Sequence, residues 1–157
     1  MSKLEFLLHL AGFSSHNPLK LSLVYNNSEN NKKVATAIAS MWKRKLGAEI
    51  TFINQQWKTY TESRNAGHFN VLGAARVAEY NEPSSFLNVM TSSNTGNWAK
   101  FKNNDYDEMV ASAMMEKNSK NRNRFYNRAE KMLLTQLPIA PMYYYSRGYL
   151  LKAGVKG

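Results

Sequence analysis

The sequence contains no cysteine, which excludes disulfides, thiolate metal sites and cysteine nucleophiles together and leaves the redox compartment open. It also contains no apolar run that approaches the length of about 20 residues needed for a membrane-spanning helix. The first residues, MSKLEFLLHLAGF, form a short apolar run that Glu5 and His9 interrupt. We therefore expect no signal peptide within this chain.

Motifs for catalysis and metal binding are missing as well. The three histidines, His9, His16 and His68, share no metal-ligand spacing, and there is no HExxH motif. No glycine-rich phosphate loop follows a predicted strand, and no Gly-x-Ser-x-Gly elbow occurs. Glu79 and Glu82 could in principle do acid/base work, but they lie across a turn and no nucleophile is evident. We expect no cofactor, no metal and no enzymatic activity, with a hydrolase built on this pair as an alternative.

Acidic side chains are scarce relative to basic ones. There are 11 Asp and Glu against 21 Lys and Arg, which gives a net charge of +10 and a pI near 9.8. Such a balance favours a nucleic-acid partner. Most basic residues, however, fall on polar faces or ends of predicted helices, which is typical of a solvated surface. We expect no nucleic acid as a partner and keep a small basic nucleic-acid-binding domain as an alternative.

Hydrophobic periodicity predicts an α/β lobe. With 157 residues, 43% of them apolar, the chain fits one domain that buries about two thirds of its unfolded surface. Helices are predicted over 4–11, 29–46 and 57–66, and strands over 19–25, 48–54 and 69–78. Ser28 is a candidate N-cap, and Gly47 and Gly67 are candidate helix stops. The order predicts a βαβαβ parallel sheet core flanked by helices, whose last strand has both faces buried.

The second half of the chain reads as helices followed by a β-hairpin. Helices are predicted from Ser84, over 106–116 and over 119–134, and the hairpin pairs 142–145 with 149–152. No second domain is indicated. The predicted core faces of the helices comprise Leu4, Leu7, Leu8, Ala11, Val34, Ile38, Met41, Trp42, Lys45, Phe86, Leu87, Met90, Met109, Val110, Ala113, Met114, Phe125, Ala129, Met132 and Leu133.

Polar residues collect where the last predicted strand ends. Arg76, Glu79, Asn81 and Glu82 occupy this end, and Pro83 follows. Ligands of open α/β sheets lie at the carboxyl ends of the strands, where loops converge and helix termini supply partial charges. We therefore predict a ligand site at this edge.

The same region resembles a known family. The run EYNEPSSFLN, with QWKTYTESRNAG before it and PMYYY well after it, is similar to the C-terminal lobe of the periplasmic oligopeptide-binding proteins of peptide ABC transporters. Those proteins have two lobes, so the resemblance implies that residues 1–157 are an incomplete C-terminal portion. It also implies that the N-terminal lobe and an export signal lie upstream, that a membrane permease is a partner, and that the protein is periplasmic. A truncated fragment with no independent role is the remaining alternative.

The resemblance assigns roles to single residues. It implies that Glu79 holds the α-amine of a bound peptide and that the preceding strand, 71–77, runs alongside the peptide backbone. Arg64 is expected to meet the ligand carboxylate or an acidic side chain, and Trp57 to line the pocket. Arg64 lies seven residues after Trp57, so both lie on one helix face. The same spacing is also compatible with an exposed Arg above a Trp of the core. The remaining expected ligand-binding residues are Gly73, Arg76, Val77, Ala78 and Tyr80.

Three departures from the family pattern concern the ligand. Better-known members have Asp at the position of Glu79, Arg at Gly73 and an aromatic residue at Arg76. The longer Glu79 side chain implies a shifted ligand register. Glycine at position 73, in place of Arg, removes one cation that would hold a ligand carboxylate. Arg76 is expected either to pair with Glu79 or to recruit an acidic ligand group, as in a cell-wall peptide.

Overall fold

The computed structural model describes residues 3–146 together with residues 148, 150, 152 and 154, and it divides into two units. The sheet unit comprises residues 3–76 and 95–100, and the helical unit comprises residues 77–94 and the described residues from 101 onward. The sheet unit contains, in chain order, α1 (Lys3–Leu10), β1 (Lys20–Asn26), α2 (Glu29–Leu46), β2 (Glu49–Gln55), α3 (Trp57–Ala66) and β3 (Val71–Leu72). The helical unit contains α4 (Ser84–Leu87), a 3-10 turn (Asn88–Met90), α5 (Asn104–Met115) and α6 (Ser119–Gln136).

The sheet has three parallel strands in the order β2-β1-β3, which confirms the predicted α/β class. β1 pairs with β2 along its whole length, from Lys20 opposite Glu49 to Asn26 opposite Gln55. As the central strand, β1 contributes the buried side chains Leu23, Val24 and Tyr25. α2 and α3 both contact it.

The third strand is much shorter than the predicted 69–78, so that prediction is wrong. β3 pairs with β1 only at Leu23 opposite Val71 and Val24 opposite Leu72. From Gly73 to Tyr80 every residue is exposed, and the expected burial of both faces does not occur. The glycine and three alanines of this segment offer little surface to bury, and among the described strands β1 is the one beside it in the sheet.

Local capping explains why the boundaries of α2 and α3 agree with those predicted from the sequence. The Ser28 hydroxyl accepts a hydrogen bond from the Asn31 backbone N–H at 3.2 Å and begins α2. Gly47 and Gly67 end α2 and α3 in the left-handed conformation, with φ of 65° and 78°, which favours glycine because it has no Cβ.

The predicted core faces of α1 and α2 need correction. In α1 no side chain is buried, and only Leu8 is half-buried. In α2 the buried residues are Ala35 and Ala39, whereas Val34, Ile38 and Trp42 are half-buried, and Met41 and Lys45 are exposed. Small residues allow a helix backbone to approach a sheet closely, so the alanine row occupies the contact and the larger side chains lie at its border.

The helical unit has a separate core between α4, α5 and α6. Its buried residues are Leu87, Met90, Tyr106, Val110, Ala113, Tyr126, Ala129 and Leu133. The Tyr106 hydroxyl donates to the Leu87 carbonyl at 2.6 Å inside this core. Met109, Phe125 and Met132 pack against the core half-buried, but Phe86 and Met114 are exposed, contrary to prediction.

The predicted hairpin is wrong in its first strand. Residues 142–145 belong to no strand and are exposed. Of its second strand, Tyr149 and Leu151 lie outside the described residues. Within the part of the chain that the structure describes, no helix combines the length and the apolar character needed to cross a membrane.

Candidate ligand-binding site

One face of α3 carries three side chains of the predicted site region in contact with one another. Trp57, Tyr60 and Arg64 follow at helical spacing, and the Trp57 and Tyr60 rings stack with their centres 5.7 Å apart. The Arg64 guanidinium carbon lies 5.9 Å from the centre of the Trp57 ring and 5.6 Å from that of Tyr60. Trp57 is 63% exposed, whereas Tyr60 is 2% exposed, so the core aromatic of this face is Tyr60 and not Trp57.

Tyr60 ties α3 to the end of β3. Its hydroxyl donates to the Gly73 carbonyl at 3.0 Å, and the Gly73 N–H donates to the Val24 carbonyl at 2.8 Å. Burial raises the pKa of Tyr60 above its usual value of 10.0, and the charge of Arg64 and a hydrogen bond with Arg64 oppose that rise. The backbone that follows β3 is therefore fixed where the predicted peptide-binding segment begins.

Gly73 and Arg76 complete the predicted site residues of the sheet unit. Both are exposed. A Cβ added at Gly73 would lie 3.5 Å from the Tyr25 Cβ and 3.7 Å from the Val24 oxygen, which is ordinary van der Waals contact. A side chain thus fits at Gly73.

Sequence reasoning missed Trp98 in this region. The Arg64 guanidinium carbon lies 4.0 Å from the centre of the Trp98 ring, closer than to either ring of α3. Trp98 comes from the loop 95–100, which belongs to the sheet unit although it is far along the chain from α3. No periodicity or motif connects the two, so no local signal predicts the contact.

Glu79 lies in a loop of the helical unit that is fastened through its backbone. The Glu79 N–H donates to the Ser85 hydroxyl at 2.7 Å, and Ser85 is buried in α4. The same turn has a hydrogen bond from the Glu82 N–H to the Tyr80 carbonyl at 2.9 Å. The residue Glu79 itself is exposed, as are its predicted neighbours Val77, Ala78 and Tyr80. A carboxylate on a backbone fixed in this way is suited to holding a cation.

Glu82 is engaged differently from Glu79. Its Oε1 lies 2.8 Å from the Arg122 Nε in a half-buried ion pair between the loop before α4 and the start of α6. A carboxylate in such a pair stabilises the packing of the two elements. The pair with Arg122 therefore competes with the acid/base role that the hydrolase alternative gives to Glu82. Among the residues described, no group of three or more His, Cys, Asp or Glu side chains is arranged to hold a metal ion.

Comparison with protein families gives a match over most of the sheet unit and the first part of the helical unit. Residues 3–98 match the model described as bacterial extracellular solute-binding proteins, family 5, middle region. The chain belongs to this family. The resemblance to periplasmic oligopeptide-binding proteins, predicted from EYNEPSSFLN and its flanking motifs, is thereby confirmed.

Individual family members are similar over nearly all of the chain. The periplasmic murein peptide-binding protein MppA of Escherichia coli is 51% identical over 151 residues, and the oligopeptide-binding protein OppA of Salmonella typhimurium is 40% identical over the same length. Each match covers 96% of this chain but 28% of the relative. The chain therefore spans less than a third of the length of the curated relatives it matches.

Solved structures of family members have the same fold. The unliganded open form of MppA superposes with a TM-score of 0.86 over 90% of this chain and 27% of its own. The complex of Haemophilus influenzae OppA with the peptide RPPGFSPFR, which is 40% identical, gives 0.87 over 90% of this chain and 28% of its own. These relatives are solute-binding proteins, not enzymes.

Proposed function

We propose that this chain is the peptide-binding, C-terminal portion of a two-lobed substrate-binding protein that delivers oligopeptides to an ABC transporter. The observation that carries the proposal is the 51% identity to a murein peptide-binding protein over 96% of the chain. Relatives named for peptide binding at 38–40% identity add support. The protein works by capture and delivery, without catalysis.

In this proposal Glu79 is the anchor for the α-amine of the peptide. A free peptide always carries an ammonium group at one end, so a single carboxylate recognises it whatever the sequence. The exposure of Glu79 and the hydrogen bond of its N–H to Ser85 support this role, because they combine accessibility with a positioned backbone. The longer side chain of Glu79, relative to Asp, sets the ligand register.

Arg64 and Arg76 supply the complementary cations. Arg64 meets the peptide carboxylate or an acidic side chain, and its fixed position against aromatic rings supports that role. Arg76 is exposed and recruits a further anionic group, which favours acidic peptides such as those of the cell wall. Trp57 offers its exposed ring to apolar parts of the ligand.

The segment from Gly73 to Tyr80 provides the remaining contacts. Contrary to the prediction from the sequence, this segment is not the edge of a strand, because β3 ends at Leu72. Gly73 lies at the base of the segment, with its own backbone groups already bonded to Val24 and Tyr60. Beyond it the exposed residues 74–78, including Val77 and Ala78, and then Tyr80, offer backbone and side-chain contacts to an extended peptide.

High affinity requires a second lobe in this proposal. A pair of exposed opposite charges is worth at most about 1 kcal/mol, because water competes for both groups. Closure of one lobe on another excludes that water and strengthens each ionic contact. The N-terminal lobe is therefore a partner of this chain, together with the peptide and the membrane permease, and the setting is the periplasm of the relatives.

Calorimetry on two proteins tests the proposal. The first is the 157-residue chain alone, and the second is E. coli MppA with its matching segment replaced by this chain. We expect the chimera to bind murein tripeptide with at least micromolar affinity and the chain alone to bind it far more weakly. A folded chimera that binds no peptide would refute the function, and micromolar binding by the chain alone would refute the need for a second lobe.

A further inference from the structure

We infer that Trp98 is a positioning residue that holds the Arg64 guanidinium for an anionic group of the ligand. The inference rests on the proposed function and adds a residue that the predicted site lacks. It assigns the specificity for carboxylate-bearing ligands to a pair of residues, one on α3 and one on the loop 95–100.

The contact between the two side chains is the closest that Arg64 makes with any of its three aromatic neighbours. The guanidinium carbon is 4.0 Å from the centre of the Trp98 ring, against 5.6 Å for Tyr60 and 5.9 Å for Trp57. A cation this close to an indole face is attracted by the negative potential of the ring, and tryptophan is the best aromatic partner. Arg64 is half-buried, which strengthens the attraction relative to open solvent.

The attraction of the Trp98 ring acts on the charge of the guanidinium and leaves N–H donors available for an anion. A guanidinium carries five N–H donors in a fixed plane. Arg64 uses few of these donors: its Nε reaches Asn65 Oδ1 at 3.4 Å, the long limit for a hydrogen bond, and it forms a hydrogen bond with Tyr60. A carboxylate that approaches the edge of the guanidinium is therefore the group that this arrangement accommodates.

The loop that carries Trp98 is itself well fixed. Asn97, next to Trp98, is buried, and the Trp98 N–H donates to the Gly96 carbonyl at 3.0 Å. The Lys100 N–H donates to the Asn97 carbonyl at 3.1 Å. Immobilising a long side chain on binding costs about 0.5–1.5 kcal/mol, so an arginine that is already held binds its anion about two- to tenfold more tightly.

The first arm of the test measures Arg64 without any ligand, by NMR of the 157-residue chain. Protons above an aromatic face are shifted upfield, so we expect the Arg64 side-chain protons to show a ring-current shift. Trp98→Ala should remove most of it, and Trp98→Phe should retain part of it. Trp42→Phe in α2 is the matched control and should leave it unchanged. An unchanged Arg64 shift in folded Trp98→Ala would overturn the inference.

The second arm follows the same NMR signals during titration with trialanine and with its C-terminal amide, at concentrations that suit millimolar affinities. Trp98→Ala should weaken trialanine binding about two- to tenfold and leave the amide unaffected, with recovery in Trp98→Phe. Equal weakening of both peptides would indicate a merely structural role and overturn the inference. If neither peptide shifts any signal of the chain alone, the acid and the amide are compared in the MppA chimera, where the absence of all binding would refute the proposed function. The ligand-free arm decides in either case whether Trp98 positions Arg64.

Discussion

Tyr60→Phe tests whether the backbone beyond β3 is held by α3. The substitution removes only the hydroxyl that donates to the Gly73 carbonyl at 3.0 Å and keeps the ring that is 2% exposed, so no cavity forms. A hydrogen bond of this kind contributes about 0.5–1.5 kcal/mol net. Because Gly73 is exposed and its carbonyl can regain a water molecule, we expect a loss of about 1 kcal/mol, near the middle of that range.

Two measurements on this variant separate a global from a local effect. Urea denaturation gives the free energy of unfolding, and amide hydrogen exchange reports opening of residues 73–75. We expect both a lower free energy of unfolding and faster exchange in that segment. Tyr143→Phe is the matched control, because Tyr143 is exposed and its change should stay within about 0.5 kcal/mol. If Tyr60→Phe is as stable as this control and exchange is unchanged, Tyr60 does not fasten the segment.

Three further substitutions test the core of the helical unit, the N-cap of α2 and the ligand site. Tyr106→Phe should cost about 1–3 kcal/mol in urea denaturation, because it strands the buried Leu87 carbonyl. Burial also raises the pKa of Tyr106, so the free energy of unfolding should fall as pH rises above the ordinary tyrosine value of about 10, and less steeply in Tyr106→Phe. Ser28→Ala should cost about 1 kcal/mol by loss of the α2 N-cap, whereas Ser40→Ala on the exposed face of α2 should cost nothing measurable. Gly73→Arg should tighten trialanine binding in NMR titration relative to Gly73→Ala, since a side chain fits there and adds a cation; equal affinities would contradict this.

The helix boundaries were predictable because their signals are local. The Ser28 cap, Gly47 and Gly67 act within a few residues, and α2 and α3 begin and end where the sequence indicates. The short β3 was not predictable from periodicity, because an apolar run of Ala, Gly and Val is compatible with a buried strand and with an exposed segment.

The candidate site was predictable only where the chain brings residues together locally. Trp57 and Arg64 share a helix face through their spacing, which the sequence contains. Which aromatic is buried depends on packing, and Tyr60 rather than Trp57 is the buried one. Trp98 reaches Arg64 through the tertiary fold alone, so no pattern in the sequence could have indicated it.

The roles of Glu79 and of the peptide amine are tested most directly by a double-mutant cycle in the MppA chimera. Calorimetry compares murein tripeptide with its N-acetylated form, in the unmodified chimera and in Glu79→Gln, with Glu108→Gln on the exposed face of α5 as control. If Glu79 holds the amine, N-acetylation should weaken binding about 30-fold or more in the unmodified chimera and in the control, and much less in Glu79→Gln. Equal losses on N-acetylation in all three proteins would contradict the anchor.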